Sequence, residues 1–193
     1  MASRFAVGWM LGLLALPLAA HQGEDHPAHG VSLAPPPATC ATAGYTPVAG
    51  CPAPVGTAYP CAGRAHLADG TVIPWSHNPP SSGAHYATWE PRAGEHTEVV
   101  PRGRWVHNLE HGHVVLLYNC PGGCPAELAI LRRVLEERFE ASILLTPDPE
   151  LPPPRFAAVA WTWVYRTDTP KLGTLLCFVD QRQGHAPENV PLH

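Results

Sequence analysis

The chain has 193 residues, and setting aside an N-terminal leader of twenty leaves about 173, enough for one domain with a core and too few for two comfortable ones. Only 15% of residues are charged and the formal net charge is -4, so there is no basic patch from which to argue nucleic-acid binding, and that class is set aside. Against this plain background 12 histidines and 6 cysteines stand out, which turns attention to metal and disulfide chemistry.

Residues 1–20 have the pattern of a secretory signal peptide: Arg4 as the positive n-region, an apolar run from Phe5 to about Leu18, and the small pair Ala19-Ala20 at a cleavage point. The apolar run is short for a membrane span, and the polar stretch His21-Gln22-Gly23-Glu24-Asp25-His26 follows at once, which favours export with cleavage over an uncleaved anchor. Cleavage after Ala20 would leave His21 with a free amine beside its imidazole, able to chelate a cation with His26 and His29 nearby. A histidine-bearing disordered tail is the plainer expectation.

Residues 21–63 are dense in Pro, Ala, Gly and Thr, include Pro35-Pro36-Pro37, and show no apolar period, so an irregular extension is expected. In an oxidising compartment its cysteines Cys40, Cys51 and Cys61 should staple it to itself or to the main domain. The even set completed by Cys120, Cys124 and Cys177 allows fifteen connectivities, and Cys120-Pro121-Gly122-Gly123-Cys124 could close locally. Thiolate ligation or a redox pair is the weaker alternative. Three residues separate Cys120 from Cys124, and no second close pair completes a zinc knuckle.

From residue 64 to 193 the pattern becomes that of a folded domain. Val99-Val100, Trp105-Val106 and Val114 to Tyr118 have the β-branched and aromatic content of strands, and the last is continuously apolar, as a buried central strand would be. Pro125 opens a helix with Leu128, Leu131, Leu135 and Phe139 on one face and Arg132, Arg133, Glu136 and Glu137 on the other. Ser142 to Thr146 and Ala157 to Val164 read as two further strands around the connector Pro147 to Pro154. Asp168-Thr169-Pro170 starts a final helix carrying Leu172, Leu175, Leu176 and Val179, and Gly184 stops it. The expected fold is α+β, a small sheet with helices packed on it.

The chemistry concentrates in His107-Asn108-Leu109-Glu110-His111-Gly112-His113, with a further histidine, His85, on the rigid turn Pro79-Pro80-Ser81-Ser82-Gly83-Ala84-His85-Tyr86. On an extended strand His107 and His111 would lie about 13 Å apart, too far to share an ion. A helical turn through Asn108-Leu109-Glu110 would put them on one face, with Gly112 releasing the chain into the next strand. His111 and His113, two apart, could chelate from a strand without any turn. The string His107 to His111 also matches the His-x-x-Glu-His of inverzincin peptidases, whose Glu is a general base, but that motif needs a sustained helix on both sides and the run to Tyr118 predicts a strand.

These two elements, with Val114-Val115 and Tyr118, resemble the bacterial domain of unknown function 3105 family, whose members carry Pro-Pro-x-Ser-Gly-x-His followed by His-x-Leu-Glu-His-Gly. The resemblance covers about Thr71 to Glu188, including Ala160-Trp161 and Ala186-Pro187-Glu188, and leaves the Cys-rich segment before His66 outside it. It implies membership without an established activity, and it aligns His85, His107 and His111 with the motif histidines. His113 sits where variation is expected, and Gln183-Gly184-His185 departs from the usual ending before Pro-Glu.

The expectation is therefore a three-histidine metal site, His85, His107 and His111, with Glu110 as an orienting partner. Copper is favoured over zinc as the ion, since imidazoles suit both and copper(II) binds such donors more tightly. A secreted or periplasmic protein for metal storage, delivery or tolerance follows, with a protein partner for metal transfer compatible with that role. Two other classes stay open: a metal-dependent enzyme, hydrolytic with Glu110 as base or oxidative at copper, and a disulfide-stapled interaction domain with structural histidines. Tyr86, Trp89, Trp161 and Trp163 are expected as core or pocket wall.

Overall fold

The computed structural model describes residues 40–188 and Val190; the signal-like leader and the histidines His21, His26 and His29 lie outside them. In chain order the elements are β1 (Thr57–Ala58), β2 (His66–Leu67), β3 (His85–Tyr86), β4 (Gly94–Glu95), α1 (Arg102–Glu110), β5 (Val114–Tyr118), α2 (Pro125–Glu137), β6 (Ile143–Pro147), β7 (Phe156–Ala160), β8 (Trp163–Thr167) and α3 (Leu172–Arg182). Six strands form a mixed sheet ordered β1-β8-β7-β5-β6-β4, while β2 and β3 make a separate parallel ladder. No described helix is long and apolar enough to cross a membrane.

The unbroken apolar run of β5 is explained by its place in the sheet. It pairs parallel with β6 on one side and antiparallel with β7 on the other, and successive side chains of a strand point to opposite faces. Val114 and Leu116 join Leu131 and Val134 of α2 and Leu175, Phe178 and Val179 of α3 in one core. Val115 and Leu117 join Trp105, Val106 and Leu109 of α1 in a second. Both faces of the strand are thus dry, and the fold is α+β with α1 on one face of the sheet and α2 and α3 on the other.

Three strand expectations are corrected. Trp105-Val106 lie within α1, not in a strand, and Val99-Val100 precede it without regular structure. Trp105, Val106 and Leu109 share one side of a helical turn and are fully buried against the sheet, so packing overrides their β propensity. The expected single strand Ala157 to Val164 is a hairpin, β7 and β8, that turns at Trp161-Thr162. Thr162 takes a φ of 62°, uncommon for a β-branched residue. Three segments hold it there: its N–H donates to Ser81 O at 2.7 Å, its carbonyl accepts from Tyr59 N at 2.7 Å, and its hydroxyl accepts from Ala43 N at 2.8 Å. With neither Gly nor Asn at the turn, no local signal announces it. Phe139, expected on the apolar stripe of α2, lies beyond that helix and is 80% exposed.

The N-terminal segment is irregular yet fastened. Cys40 pairs with Cys61 within it, Cys51 pairs with Cys177 on α3, and Cys120 closes locally on Cys124. Val55 enters the core. Gln181 bridges to both Val55 N and Pro52 O, and the buried Arg182 donates to Val55 O while its guanidinium stacks 3.4 Å over the Trp163 ring. Burial draws the pKa of Arg182 down to about 10.

The disulfides differ in the freedom they remove from the unfolded chain. Cys51–Cys177 spans 126 residues and Cys120–Cys124 spans 4, so loop-closure entropy assigns them about 5 and about 2 kcal/mol. Replacing Cys51 and Cys177 together with Ala should lower the urea unfolding free energy more than the same change at Cys120 and Cys124.

Candidate metal centre

The site forms where α1 meets the β2–β3 ladder. His66 and His85 are register partners in that ladder, so their side chains emerge next to each other from strands nineteen residues apart in sequence. The α1 helix supplies His107 and Glu110 from its last turn, three residues apart and hence on one face. His111 is its C-cap, and Gly112, with φ 88°, releases the chain into β5. Close approach of α1 to β3 depends on Gly103: a Cβ there would stand 2.5 Å from the Tyr86 ring.

Backbone carbonyls orient two of the imidazoles. His107 Nδ1 lies 2.7 Å from Tyr86 O, and His85 Nδ1 lies 2.8 Å from Gly83 O. A carbonyl can only accept, so each Nδ1 carries a hydrogen, and Nε2 is the nitrogen that each ring turns to the site. Glu110 Oε2 sits 3.0 Å from His85 Nε2 and 3.3 Å from His66 Nε2, with Arg64 Nη1 at 3.5 Å from Oε1. One ligand atom from each of His66, His85, His107 and Glu110 lies within 4.8 Å of the other three. Ligands about 2.1 Å from a tetrahedral ion are roughly 3.4 Å apart, so these atoms need only small shifts to converge on one cation.

The charge balance suits a cation. Glu110 is 1% exposed. Burial alone would raise its pKa, but the His85 hydrogen bond and the charges of His85, His66 and Arg64 outweigh it and hold the carboxyl below its usual range. Burial, aided by the neighbouring His85 and His66, pushes His107 down to about 4 despite its bond to Tyr86. At neutral pH His107 is therefore an unprotonated donor. His66 is 45% exposed and leaves one side of the cluster open to solvent.

Of the three expected ligands, His85 and His107 come together, joined by Glu110 itself and by His66. His111 stands beside His107, ring centroids 4.6 Å apart, with Trp89 packed edge-on at 4.1 Å. Its Nε2 is 3.5 Å from Glu188 Oε2, and its buried Nδ1 has no hydrogen-bond partner among the described residues. His113 spends both ring nitrogens on the fold, accepting from Asn108 Nδ2 and donating to Val190 O. Asn108 also pairs with both backbone groups of Glu90, which ties down the loop carrying Trp89. His66 had no local signal at all, because Arg64-Ala65-His66-Leu67 matches no ligand pattern. The end of α1 at Glu110 and the strand after it also remove the two-sided helix an inverzincin needs.

Fold and site together define a small α+β domain with a buried cluster of three imidazoles and one carboxylate at a helix–ladder junction. The chain belongs to the family described as "Protein of unknown function (DUF3105)", whose model matches residues 66–191 and so begins at His66. No curated protein and no solved structure matches it.

Two outcomes follow from this geometry. Gly103→Ala should destabilise by about 1–3 kcal/mol through overpacking against Tyr86, although Ala is the better helix former, and urea titration with and without added metal should show both lower stability and weaker metal uptake. The metal-free protein should lose stability as pH falls from about 6.5 to about 4. Over that window the unfolded chain protonates two imidazoles, whereas His107 and His111 in the fold resist until about 4. The slope is at most about 2.7 kcal/mol per pH unit, and the depressed Glu110 acts in the same direction. Urea midpoints measured at several pH values give this slope, and a midpoint unchanged down to pH 5 would contradict the assignment.

Proposed function

We propose that this protein is an extracytoplasmic metal-binding protein that holds one ion through His66, His85, His107 and Glu110 and serves metal storage, delivery or tolerance. Two imidazoles whose Nδ1 atoms are fixed by the Gly83 and Tyr86 carbonyls, with their Nε2 atoms beside a buried carboxylate, support this reading most directly. Protein metal sites build their donors in this way, with a hydrogen bond behind the ring fixing both its tautomer and its direction. Copper(II) is the proposed ion, since imidazole and carboxylate donors bind it more tightly than zinc.

Exposure of His66 favours an ion that can enter and leave over one sealed in as a structural staple. Three disulfides suit an oxidising compartment, as does the signal-like leader. A hydrolase using Glu110 as base would need that carboxylate to act on a metal-bound water. Its contacts with His66 and His85 favour a ligand role instead. His111, the third imidazole expected from the motif, is assigned a supporting place beside His107, oriented by Glu188.

Chelator-stripped protein dialysed against copper(II) or zinc(II) and measured by elemental analysis should take up about one ion per chain, with copper displacing zinc. His66→Ala, His85→Ala and His107→Ala should each weaken binding by more than about a hundredfold, beyond the ten- to hundredfold typical of lost supporting partners. His111→Ala should stay within about tenfold. Uptake of neither metal would overturn the proposal, and loss of binding in His111→Ala with retention in His66→Ala would replace His66 by His111 in the ligand set.

A further inference from the structure

One fixed positive charge already stands against the cluster. Arg64 Nη1 lies 3.5 Å from Oε1 of Glu110, while Oε2 of the same carboxylate faces His66 and His85 at 3.3 and 3.0 Å. Oε1 of Glu188 is 4.0 Å from the same Arg64 nitrogen. Among the described residues no other Arg or Lys pairs with Glu110. Arg64 is not itself a ligand, because a guanidinium offers only donors and keeps its proton at every relevant pH.

We infer that Arg64 is a specificity-determining residue of the metal centre, which opposes a doubly charged ion more strongly than a singly charged one. The inference rests on the metal-centre reading and adds to it a selection of the ion by charge. The sign of the effect follows from the contact. At 3.5 Å it is longer than the roughly 2.7–2.9 Å of a charge-assisted hydrogen bond, so Arg64 acts on the centre through its charge more than by orienting the carboxylate. Glu110 is oriented from its other oxygen, by His85. An ion bound at that oxygen would stand within about 8 Å of Arg64 Nη1, the sum of the 3.5 Å contact, the width of a carboxylate and a metal–oxygen bond of about 2.0–2.2 Å.

Coulomb energy scales with the product of the charges. A guanidinium so placed therefore opposes a divalent ion with twice the energy with which it opposes a monovalent one, whatever the local dielectric. Arg64 is 35% exposed, so water weakens its field, and the effect is about tenfold in affinity for a divalent ion and the square root of that, about threefold, for a monovalent one. Glu188 acts on the ion with the opposite sign, but it is the same in the wild type and in Arg64 variants, so their difference reads Arg64 alone. In the metal-free protein the same guanidinium helps to compensate the buried Glu110 carboxylate. On loading, it limits how tightly a divalent ion is held, which suits a site that gives its ion up.

The test compares zinc(II) with silver(I), two closed-shell ions of different charge, on the full chain at neutral pH in chloride-free buffer of low ionic strength, where charge effects are least screened. No described cysteine is free to capture silver. Affinities come from calorimetry, and binding that persists in His85→Ala is subtracted as that of histidines elsewhere in the chain. Arg64→Gln and Arg64→Ala should each bind zinc about tenfold and silver about threefold more tightly than the wild type. Arg64→Lys keeps the charge, and Arg132→Gln removes an equal charge from α2, paired with Glu95; both should stay within about twofold of the wild type for either ion. Unchanged or weaker zinc binding in both Arg64→Gln and Arg64→Ala would overturn the inference. So would equal gains for the two ions, or the same gain in Arg64→Lys or Arg132→Gln. A wild type that binds neither ion beyond the level of His85→Ala would be a different result, removing the metal centre itself.

Discussion

A histidine nitrogen can stand 3.0 Å from a carboxylate oxygen only when a proton or a metal ion lies between the two. His85 is held in that position: its Nδ1–H is committed to the Gly83 carbonyl, which leaves Nε2 opposite Glu110 Oε2. His66 approaches the same oxygen, and His107, with its own Nδ1–H given to Tyr86, adds a third nitrogen. A buried carboxylate is costly without compensating charge. Here the compensation comes from His66, His85 and Arg64, in a group of side chains that could hold a metal ion.

The rest of the fold serves to bring those groups together. β5, dry on both faces, anchors the sheet, and α1 packs on one of those faces through Trp105, Val106 and Leu109. That seat presents the last turn of α1 to the β2–β3 ladder, and Gly103 permits the final approach by leaving space for the Tyr86 ring. Gly112 ends the turn in a left-handed conformation, so the helix that bears His107 and Glu110 and the strand that fixes its position are joined by a minimal link. The disulfide from Cys51 to Cys177 and the stacked Arg182 hold the irregular segment before β2 against α3 and β8.

Membership of the family spans residues 66–191 and takes in all four converging side chains.

Much of the architecture was legible in the sequence because it depends on local periodicity and chain chemistry. The continuous apolar run of β5, the Pro125 start of α2, the start and stop of α3 and the turn at Gly112 each follow from the residues at hand. His85 and His107 stood out in their motifs as ligand candidates and Glu110 as an orienting partner, and these three side chains stand together in the structure. What the sequence could not settle were features set by partners distant along the chain. Trp105 and Val106 have strand propensity but are helical because the sheet covers them, and Thr162 turns without glycine because Ser81, Tyr59 and Ala43 hold it. His66 joined the site only through its register opposite His85, a pairing that spacing cannot predict. His111 and Glu110 are adjacent in the motif, yet helical rotation of about 100° per residue turns them apart, so that one lies among the converging atoms and the other packs against Trp89.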